Sequence, residues 1–587
     1  MLTLPGFQFH DVIYEDPYIL VCYAYSENTG NRTLLKLVKE SNRTMIENAK
    51  IMNEYTIASG LQMEGILRPE QPIVHGHTMA LQYQPINGVT LRRYYTTQFS
   101  SIDAFFTLAI RISKLLVELH ESNVVHLNLR PDTILIQPET MRVYLSGFGY
   151  ATSLTYGGRP RTQMTLLEAC PPYMSPEQTG RMEHTVDHRA DLYSLGVTFF
   201  EWLTGSLPYS AADALGWSHA HMAEDPRWSL LDTALPLRLQ NILRRLLAKD
   251  PDVRYPQADA LLTDLVFALE EVTTFRYEGQ EGKTEQRSDH SFKAETSDQA
   301  AHIHEAASME GETLQKLVPL PASSANAEPN SNYPHMLDLA AMVRSSQLFV
   351  KETSHRVMIQ DMMKLVMLTA GADQAWFIMN PSHEPRVEWM KEVRQGRWTA
   401  EPVNVLLRTC PRSARRVVQE CLRSQQMLRT SRKTKAVSLS DKHPSEGKVS
   451  MLALPLIKDG EVKGCLLLSN RFIAKAFIPE RLSTLQQLAS QALFIATYTG
   501  MPSGLTSSHQ TAELLPHLIE LTSREKAVLQ WIAKGLTNKE IAEQMSITSE
   551  TVKAHLKNIY RKLKVDRRIK AAAAAHALGL LEEGDHP

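Results

Sequence analysis

Apolar residues in the first half of the 587-residue chain change from a strand pattern to a helix pattern. Short, strongly apolar runs at 18–21 and 33–38 predict strands, and two further strands are predicted around 73 and 80–81. A helical pattern covers 45–60 between these pairs, and the stretch that follows is mostly helical. This order predicts a small lobe built on a sheet, followed by a larger helical lobe.

The second half carries two more patterned stretches. Helical spacing over 336–369 is followed by strands, among them a hairpin with Asp459 and Gly460 at its turn, and by a closing helix at 479–497. Towards the C-terminus, apolar residues recur at helical spacing in three short segments between 521 and 581. The predicted fold class is therefore multidomain α+β, with an α/β unit in the middle and an all-α unit at the end.

Two polar stretches separate these units. Residues 273–332 carry little that could form a core, which predicts a flexible linker, and 501–517 form a second linker. The expected folded domains are therefore 1–272, 333–500 and 518–584.

Composition places the chain among ordinary globular proteins. Apolar residues make up 43% and charged residues 22% of it. The five cysteines have no regular spacing, which argues against a disulfide framework or a zinc site and favours a reducing compartment. No apolar run approaches the about 20 residues that a membrane span requires, and the N-terminus lacks the pattern of a signal peptide. We therefore expect a cytoplasmic protein with no metal site and no membrane partner.

Helix starts and positive charge coincide in the last sixty residues. Between 548 and 570 eight basic residues stand against two acidic ones, in a chain whose formal net charge is −1. This local excess, and not the charge of the whole molecule, has to supply any affinity for a phosphate backbone. Two capping boxes and one further N-cap threonine mark the starts of three helices: Thr522 with Glu525, Thr537 with Glu540, and Thr548.

The motifs of this stretch are similar to the LuxR-type helix-turn-helix. The matching segments are Leu521-Thr522-x-Arg524-Glu525, Gly535, Asn538-Lys539-Glu540-Ile541-Ala542, Thr551-Val552-Lys553-x-His555 and Lys562-Leu563-x-Val565. The resemblance implies a module that binds double-stranded DNA, and because a single module binds one half-site weakly, a homodimer is expected. It places Lys553, Ala554 and Lys557 at the bases and Thr548, Thr551, Asn558 and Arg561 near phosphates. Glu525 and Glu540 are expected to be caps and not readers of DNA.

Landmarks in residues 1–272 resemble those of the protein kinase fold. Lys36 stands where the lysine of the third strand belongs, and Glu54 stands where its ion-pair partner belongs. The resemblance implies a bilobal fold similar to bacterial Ser/Thr kinase-like domains. Further matches are Ser175-Pro176-Glu177 with the Ala-Pro-Glu segment, Asp191 with the buried aspartate of the large lobe, and Arg254 with the arginine that pairs with Glu177.

The residues that carry phosphoryl transfer in kinases are replaced. His126-Leu127-Asn128 stands for His-Arg-Asp, and an asparagine amide cannot accept a proton at neutral pH. Thr133 replaces an asparagine that holds magnesium, and Gly147 replaces the aspartate of Asp-Phe-Gly. No glycine lies between Gly6 and Gly30, so the glycine-rich loop is missing. We therefore predict a pseudokinase with degenerate positions at Asn128, Thr133 and Gly147.

The retained Lys36 and Glu54 leave two interpretations open. Either they hold a pocket that takes ATP or another nucleotide without magnesium, or they brace a helix against the sheet as an ordinary ion pair. In the first interpretation, Gln84 and Ile86 belong to the hinge that meets the adenine edge.

The order of elements in 333–500 resembles a GAF domain, which implies a sensor for a small-molecule ligand. Its sequence does not identify the ligand. The methionine-rich first helix is predicted to be core or dimer surface.

The sequence thus predicts a transcriptional regulator in signal transduction, in which a pseudokinase and a GAF-like sensor control a LuxR-type DNA-binding domain. Two other classes stay open. One is an active Ser/Thr protein kinase with atypical catalytic residues, and the other is a protein-binding scaffold whose kinase-like domain binds no nucleotide.

Overall fold

The computed structural model describes the chain in several stretches. They are residues 4–39, 45–75, 78–97, 101–154, 171–231, 235–281, 315–317, 338, 341–342, 344–345, 355–380, 384–394, 397–435, 446–497, 522–533, 536–563 and 571. Within them, no helix is both long enough and apolar enough to cross a membrane.

Five antiparallel strands and one helix form the small lobe. The strand order is β1-β2-β3-β5-β4, so β3 lies in the middle of the sheet. Thr33, Leu34 and Leu35 are buried because a central strand is covered on both faces. The strands and the helix predicted for this lobe are confirmed. Its elements are β1 Phe7–Glu15, β2 Ile19–Ser26, β3 Arg32–Val38, α1 Met45–Gly60, β4 Pro69–His75 and β5 Thr78–Tyr83.

Helices dominate the large lobe. Its central helix, α4, is buried from Ala190 to Trp202, as expected of a helix surrounded by others. The domain boundary expected at 272 lies inside α7, which continues to Glu281. The elements are β6 Val89–Thr90, α2 Leu91–Thr97, α3 Ile102–Glu121, β7 Val124–Val125, β8 Ile134–Gln137, β9 Arg142–Leu145, β10 Thr152–Ser153, α4 Arg189–Thr204, α5 Ala214–Ala223, α6 Leu237–Leu246 and α7 Ala258–Glu281.

A buried ion pair fixes the base of the large lobe. Arg254 donates from both terminal nitrogens to the two carboxylate oxygens of Glu177, at 2.6 and 2.8 Å. Both side chains are almost fully buried. This confirms the pair that the sequence predicted.

The middle domain is built on a seven-stranded antiparallel sheet in the order β11-β15-β16-β17-β12-β13-β14. Its edge strand β11 comes from the stretch expected to be a linker. The predicted hairpin is confirmed as β16 and β17. The first helix is described from His355, and most of the expected earlier part lies outside the described residues. The elements are β11 Gln315–Leu317, α8 His355–Ala370, β12 Gln374–Met379, β13 Arg386–Arg394, β14 Arg397–Leu406, α9 Arg412–Ser424, β15 Met427–Lys435, β16 Glu446–Lys458, β17 Glu461–Asn470 and α10 Leu482–Thr497.

Helices cover both faces of this sheet. Side chains alternate along each strand, so Ala375 and Phe377 point to the face covered by α8 and α10, while Trp376 and Ile378 point to the face covered by α9.

Three short helices form the C-terminal domain: α11 Ser523–Ala533, α12 Asn538–Gln544 and α13 Ser549–Leu563. Both predicted capping boxes are present: the backbone of Thr522 donates to Glu525 at 2.7 Å, and that of Thr537 donates to Glu540 at 2.6 Å. The helices share a small core that contains Val528, Leu529, Ile532, Ile541, Val552, Leu556 and Ile559. The predicted second linker and the basic residues from 564 to 570 lie outside the described residues.

Candidate functional sites

The strand β3 and the helix α1 bring Lys36 and Glu54 together in the cleft between the lobes. Lys36 Nζ donates to Glu54 Oε2 at 2.5 Å, and the carboxylate side chain is 1% exposed. The other oxygen of Glu54 accepts from the Tyr83 hydroxyl at 2.8 Å and from the backbone of Gly147 at 3.2 Å. Burial, and then the charge of Glu54, raises the pKa of Tyr83 well above its usual value, so the phenol stays protonated. The carboxylate therefore links both lobes.

Asp191 binds the backbone of the loop that follows β7, on the large-lobe side of the cleft. Its carboxylate accepts from the backbone nitrogens of His126 and Leu127, both at 2.8 Å. Leu127 has a φ of 59°, a conformation that costs free energy in a non-glycine residue. Burial lowers the pKa of His126, whose ring packs on that of Phe148 with centroids 4.6 Å apart. The frame of the loop is thus fixed by buried polar contacts.

The three predicted degenerate positions lie next to one another. Asn128 Nδ2 donates to the carbonyl of Gly147 at 3.4 Å, and the Thr133 hydroxyl donates to the carbonyl of Asn128 at 3.0 Å. Gly147 has a φ of +83°, and a Cβ atom there would lie 2.7 Å from the methyl group of Thr133. Thr133 therefore fills the space that a side chain at position 147 would need.

This arrangement does not fit a magnesium ion. Asn128, Thr133 and Gly147 offer no carboxylate, whereas magnesium prefers anionic oxygen ligands in octahedral geometry. The acidic neighbour Asp132 is bound by Arg92, whose Nε and Nη2 donate to it at 2.8 and 3.1 Å.

The turn between β1 and β2 contacts Arg130, in the large-lobe loop that also contains Leu127 and Asn128. Asp16 accepts from the backbone of Tyr18 and Ile19 at 2.8 and 2.7 Å, which fixes the turn without glycine. The guanidinium of Arg130 lies 4.9 Å from the ring centroid of Tyr14 and 4.0 Å from the Asp16 carboxylate. The absence of glycines in the sequence did not indicate this contact, because it joins residues more than a hundred positions apart.

The predicted hinge residues lie at the other end of the cleft. Gln84 is exposed and Ile86 is half-buried. The Tyr23 hydroxyl donates to the carbonyl of Ile86, and a carbonyl oxygen retains a second lone pair for a further donor.

Among the described residues, one group of three side chains lies close enough for a metal ion: His184, Asp250 and Asp252. Asp252, however, pairs with Arg189 at 2.9 Å, and Asp250 accepts from the backbone of Asp252 at 3.1 Å. These bonds hold a turn of the large lobe, which is the role we assign to the group.

Three cysteines of the middle domain that are scattered in sequence share one cluster under α9. They are Cys410, Cys421 and Cys465, and they are free and buried. Burial, and then a hydrogen bond to Cys421, raises the pKa of Cys465 well above its usual value, so this thiol stays protonated. These groups are core residues that the spacing of the cysteines did not reveal.

The helix α13 has two distinct faces. Val552, Leu556 and Ile559 point into the domain core and are buried. Lys553, Lys557 and Arg561 recur every four residues, which places them on one stripe of the helix. All seven predicted DNA contacts are exposed: Thr548, Thr551, Lys553, Ala554, Lys557, Asn558 and Arg561.

Lys553 and Arg561 contact exposed neighbours on the same helix, Glu550 at 3.0 Å and Asn558 at 3.4 Å, whereas one basic residue of this helix has a buried partner. Lys562 donates to Glu525 at 2.7 Å, and Glu525 is 4% exposed. Burial alone would raise the pKa of Glu525, but its bonds to Lys562 and Thr522 outweigh burial and lower it. Glu525 is therefore a capping and packing residue, as predicted.

Comparison with known proteins matches three parts of the chain to family models. The protein kinase domain model matches residues 18–266, the GAF domain model matches 355–493, and the model of bacterial regulatory proteins of the luxR family matches 520–575. The chain thus carries a protein kinase domain, a GAF domain and a LuxR-family helix-turn-helix domain, in that order. The last of these supports a transcription regulator.

Curated relatives match parts of the chain. Hybrid signal transduction histidine kinase G of Dictyostelium discoideum is 51% identical over 94 residues, which is 16% of this chain and 3% of that protein. Serine/threonine-protein kinase pkn3 of Myxococcus xanthus is 30% identical over 158 residues, 26% of this chain and 28% of that protein. PknB of Mycobacterium tuberculosis is 29% identical over 227 residues, 38% of this chain and 35% of that protein. The chain spans about a third or less of the length of these relatives.

Proposed function

We propose that this protein is a DNA-binding transcriptional regulator in which α13 reads double-stranded DNA. The observation that carries the proposal is the exposed stripe of Lys553, Lys557 and Arg561 above a buried apolar face. A helix fixed in this way presents its basic side chains to the major groove and the adjacent phosphates.

The residues have separate roles in this proposal. Lys553, Ala554 and Lys557 face the bases, where Lys supplies hydrogen bonds to guanine and Ala supplies an apolar surface. The residues at the phosphates are Thr548, Thr551, Asn558 and Arg561. The active species is a homodimer that places two modules on two half-sites.

Binding measured against salt concentration tests these roles. We expect Lys553→Ala and Lys557→Ala each to reduce the slope of log K against log salt by about 1, because each variant loses one positive charge that displaces counterions from the DNA. Lys553→Ala should also relax base preference by about 1–3 kcal/mol. Lys526→Ala is the matched control, because this exposed lysine lies on α11. Wild-type affinity and slope in both α13 variants contradict the docking.

We further propose that the kinase-like domain is a pseudokinase that binds ATP or another nucleotide without magnesium. Support comes from the mutual fit of Thr133 and Gly147, which leaves no place for an acidic side chain. Lys36, oriented by Glu54, would meet phosphate oxygens, and the backbone of Gln84 and Ile86 would meet the base. The nucleotide and a ligand of the GAF domain would regulate DNA binding by favouring one state of the protein over another.

Thermal unfolding of the full chain with ATP tests this part. A ligand that binds only the native state raises the melting temperature, so we expect a rise that persists in EDTA and disappears in Lys36→Met. No rise in either condition would leave Lys36 and Glu54 as a bracing pair.

An active kinase is the second candidate, favoured by the intact Lys36–Glu54 pair and by the loop that Asp191 holds. Phosphate incorporation that requires magnesium and is lost in Lys36→Met would establish it and overturn the pseudokinase proposal.

A further inference from the structure

The large lobe holds the end of a helix that belongs to the GAF domain. Arg181 Nη1 donates to the carbonyls of Leu368 and Thr369, at 2.9 and 3.2 Å. These carbonyls belong to the last turn of α8, where backbone acceptors lack partners within the helix. The Arg181 side chain is completely buried. A cation of one domain therefore caps a helix of the other.

Apolar contact continues directly beyond this cap. Met222 of α5 is completely buried. A Cβ atom built on Gly371 would lie 2.6 Å from the terminal carbon of Met222 and 3.5 Å from its Cβ. Large-lobe residues Met182, Leu215, Met222 and Ala223 share one buried cluster with α8 residues Ile359, Met362, Met363 and Val366. The two domains therefore share a continuous core.

Two buried side chains add hydrogen bonds between the domains. Asn470 Nδ2 donates to the carbonyl of Met222 at 3.2 Å and to that of Gly371 at 2.7 Å. His219 Nε2 lies 2.8 Å from the carbonyl of Ala372. The bond to Gly371 lies within the GAF domain, whereas separating the domains would break the bond of Asn470 to Met222 and that of His219 to Ala372.

Ion pairs lie around this centre. Arg471 pairs with Asp225 of the large lobe at 3.1 Å and with Asp373 of its own domain at 3.2 Å. Other pairs across the contact are Arg429 with Glu183, and Arg344 with Asp213. An apolar centre crossed by a few hydrogen bonds and surrounded by a charged rim is the composition of a stable interface.

We propose that the large lobe of the kinase-like domain serves as an intramolecular receptor for the GAF domain. The large lobe binds the turn at residues 368–373, so the two domains move as one rigid body. The helix α10, which precedes the DNA-binding domain in the chain, packs against α8. The contact with the large lobe therefore holds α10 in place through α8. The surface formed by Arg181, Leu215, His219 and Met222 is thus occupied in cis and closed to a separate protein. This inference is independent of whether the cleft binds a nucleotide.

A disulfide across the contact tests the arrangement in solution. The 3.5 Å separation of the two Cβ positions suits a disulfide, so the full-length double variant Met222→Cys/Gly371→Cys is oxidised with oxidised glutathione. We expect nearly complete linkage of positions 222 and 371 by peptide mass spectrometry. The control is Leu237→Cys/Gly371→Cys, in which position 237 lies on the exposed face of α6. Linkage no greater than in this control overturns the proposal.

Hydrogen exchange of the full chain tests whether contact with the large lobe stabilises the GAF domain. We expect Met222→Asp to accelerate exchange in 366–373 by about tenfold or more, and Leu237→Asp to leave it unchanged. Wild-type exchange in 366–373 of Met222→Asp overturns the proposal. Protection of α3 from exchange in Met222→Asp reports whether the large lobe itself is still folded. If it is not, the yield of the disulfide between positions 222 and 371 decides between the proposal and its alternative.

Discussion

Polar side chains have opposite environments in the cleft and on α13. In the cleft, Glu54 is buried and accepts from Lys36 and Tyr83, and the Thr133 hydroxyl is bonded to its own loop. On α13, Lys557 and Arg561 are exposed to solvent. Buried polar groups that are bonded within the protein hold a fold, whereas exposed ones are available to a ligand. The difference predicts that substitutions in the kinase-like domain mainly change stability, and that substitutions on α13 mainly change DNA affinity.

The largest effect is expected at the buried pair of the large lobe. Arg254→Ala leaves the Glu177 carboxylate buried without its partner, which costs about 3–5 kcal/mol of unfolding free energy. Hydrogen exchange of the slowest large-lobe amides measures this loss. The matched control is Asp252→Ala, which breaks the more exposed pair with Arg189 and should cost less than about 1 kcal/mol. Equal costs would show that burial does not set the value of these pairs.

A pH dependence is expected at Asp373 in the GAF domain. Burial raises the pKa of this carboxyl to about 7; Arg471 opposes the rise and Glu392 adds to it. Between about pH 4 and pH 7 the folded state keeps a proton on Asp373 that the unfolded state has lost. The contribution of protonated Asp373 to the unfolding free energy is therefore full at low pH and is lost as pH rises. We expect the unfolding free energy of the GAF domain to fall by about 1 kcal/mol per pH unit in this range.

Asp373→Asn removes this dependence because an amide does not ionise. The control Asp459→Asn, in the exposed turn between β16 and β17, should retain the wild-type profile. Unfolding measured by hydrogen exchange at pH 5, 6 and 7 checks both variants. An unchanged slope in Asp373→Asn would assign the titration to other groups.

A smaller effect separates backbone strain from steric contact in the cleft. Gly147 and Gly205 both have positive φ, at +83° and +68°, but a Cβ atom would meet Thr133 at the first and open space at the second. Alanine at either position incurs the backbone cost of about 1 kcal/mol or more, and only Gly147→Ala also displaces Thr133. We expect Gly147→Ala to be the more destabilising of the two. Equal losses of unfolding free energy would mean that the methyl group of Thr133 moves aside at no measurable cost.

Features carried by neighbouring residues were predictable from the sequence. The capping boxes at Thr522 and Thr537 depend on a spacing of three residues, and the order of strands and helices follows from apolar periodicity. Glu177 and Arg254 were paired through family resemblance. The interdomain role of Arg181 was not predictable, because its acceptors at Leu368 and Thr369 lie almost two hundred residues away and are backbone atoms without a sequence signature.

The smallest effects give the sharpest test of the difference between buried and exposed polar groups, because two lysines of one helix are expected to behave in opposite ways. Lys562→Ala removes the partner of the buried Glu525 and should lower the unfolding free energy by about 1 kcal/mol. Lys557→Ala removes an exposed charge and should change stability by less than about 0.5 kcal/mol while weakening DNA binding. Thermal unfolding and DNA titration of both variants measure the two quantities. If Lys562→Ala weakens DNA binding without loss of stability, its bond to Glu525 does not hold the domain and the basic surface extends beyond the exposed stripe.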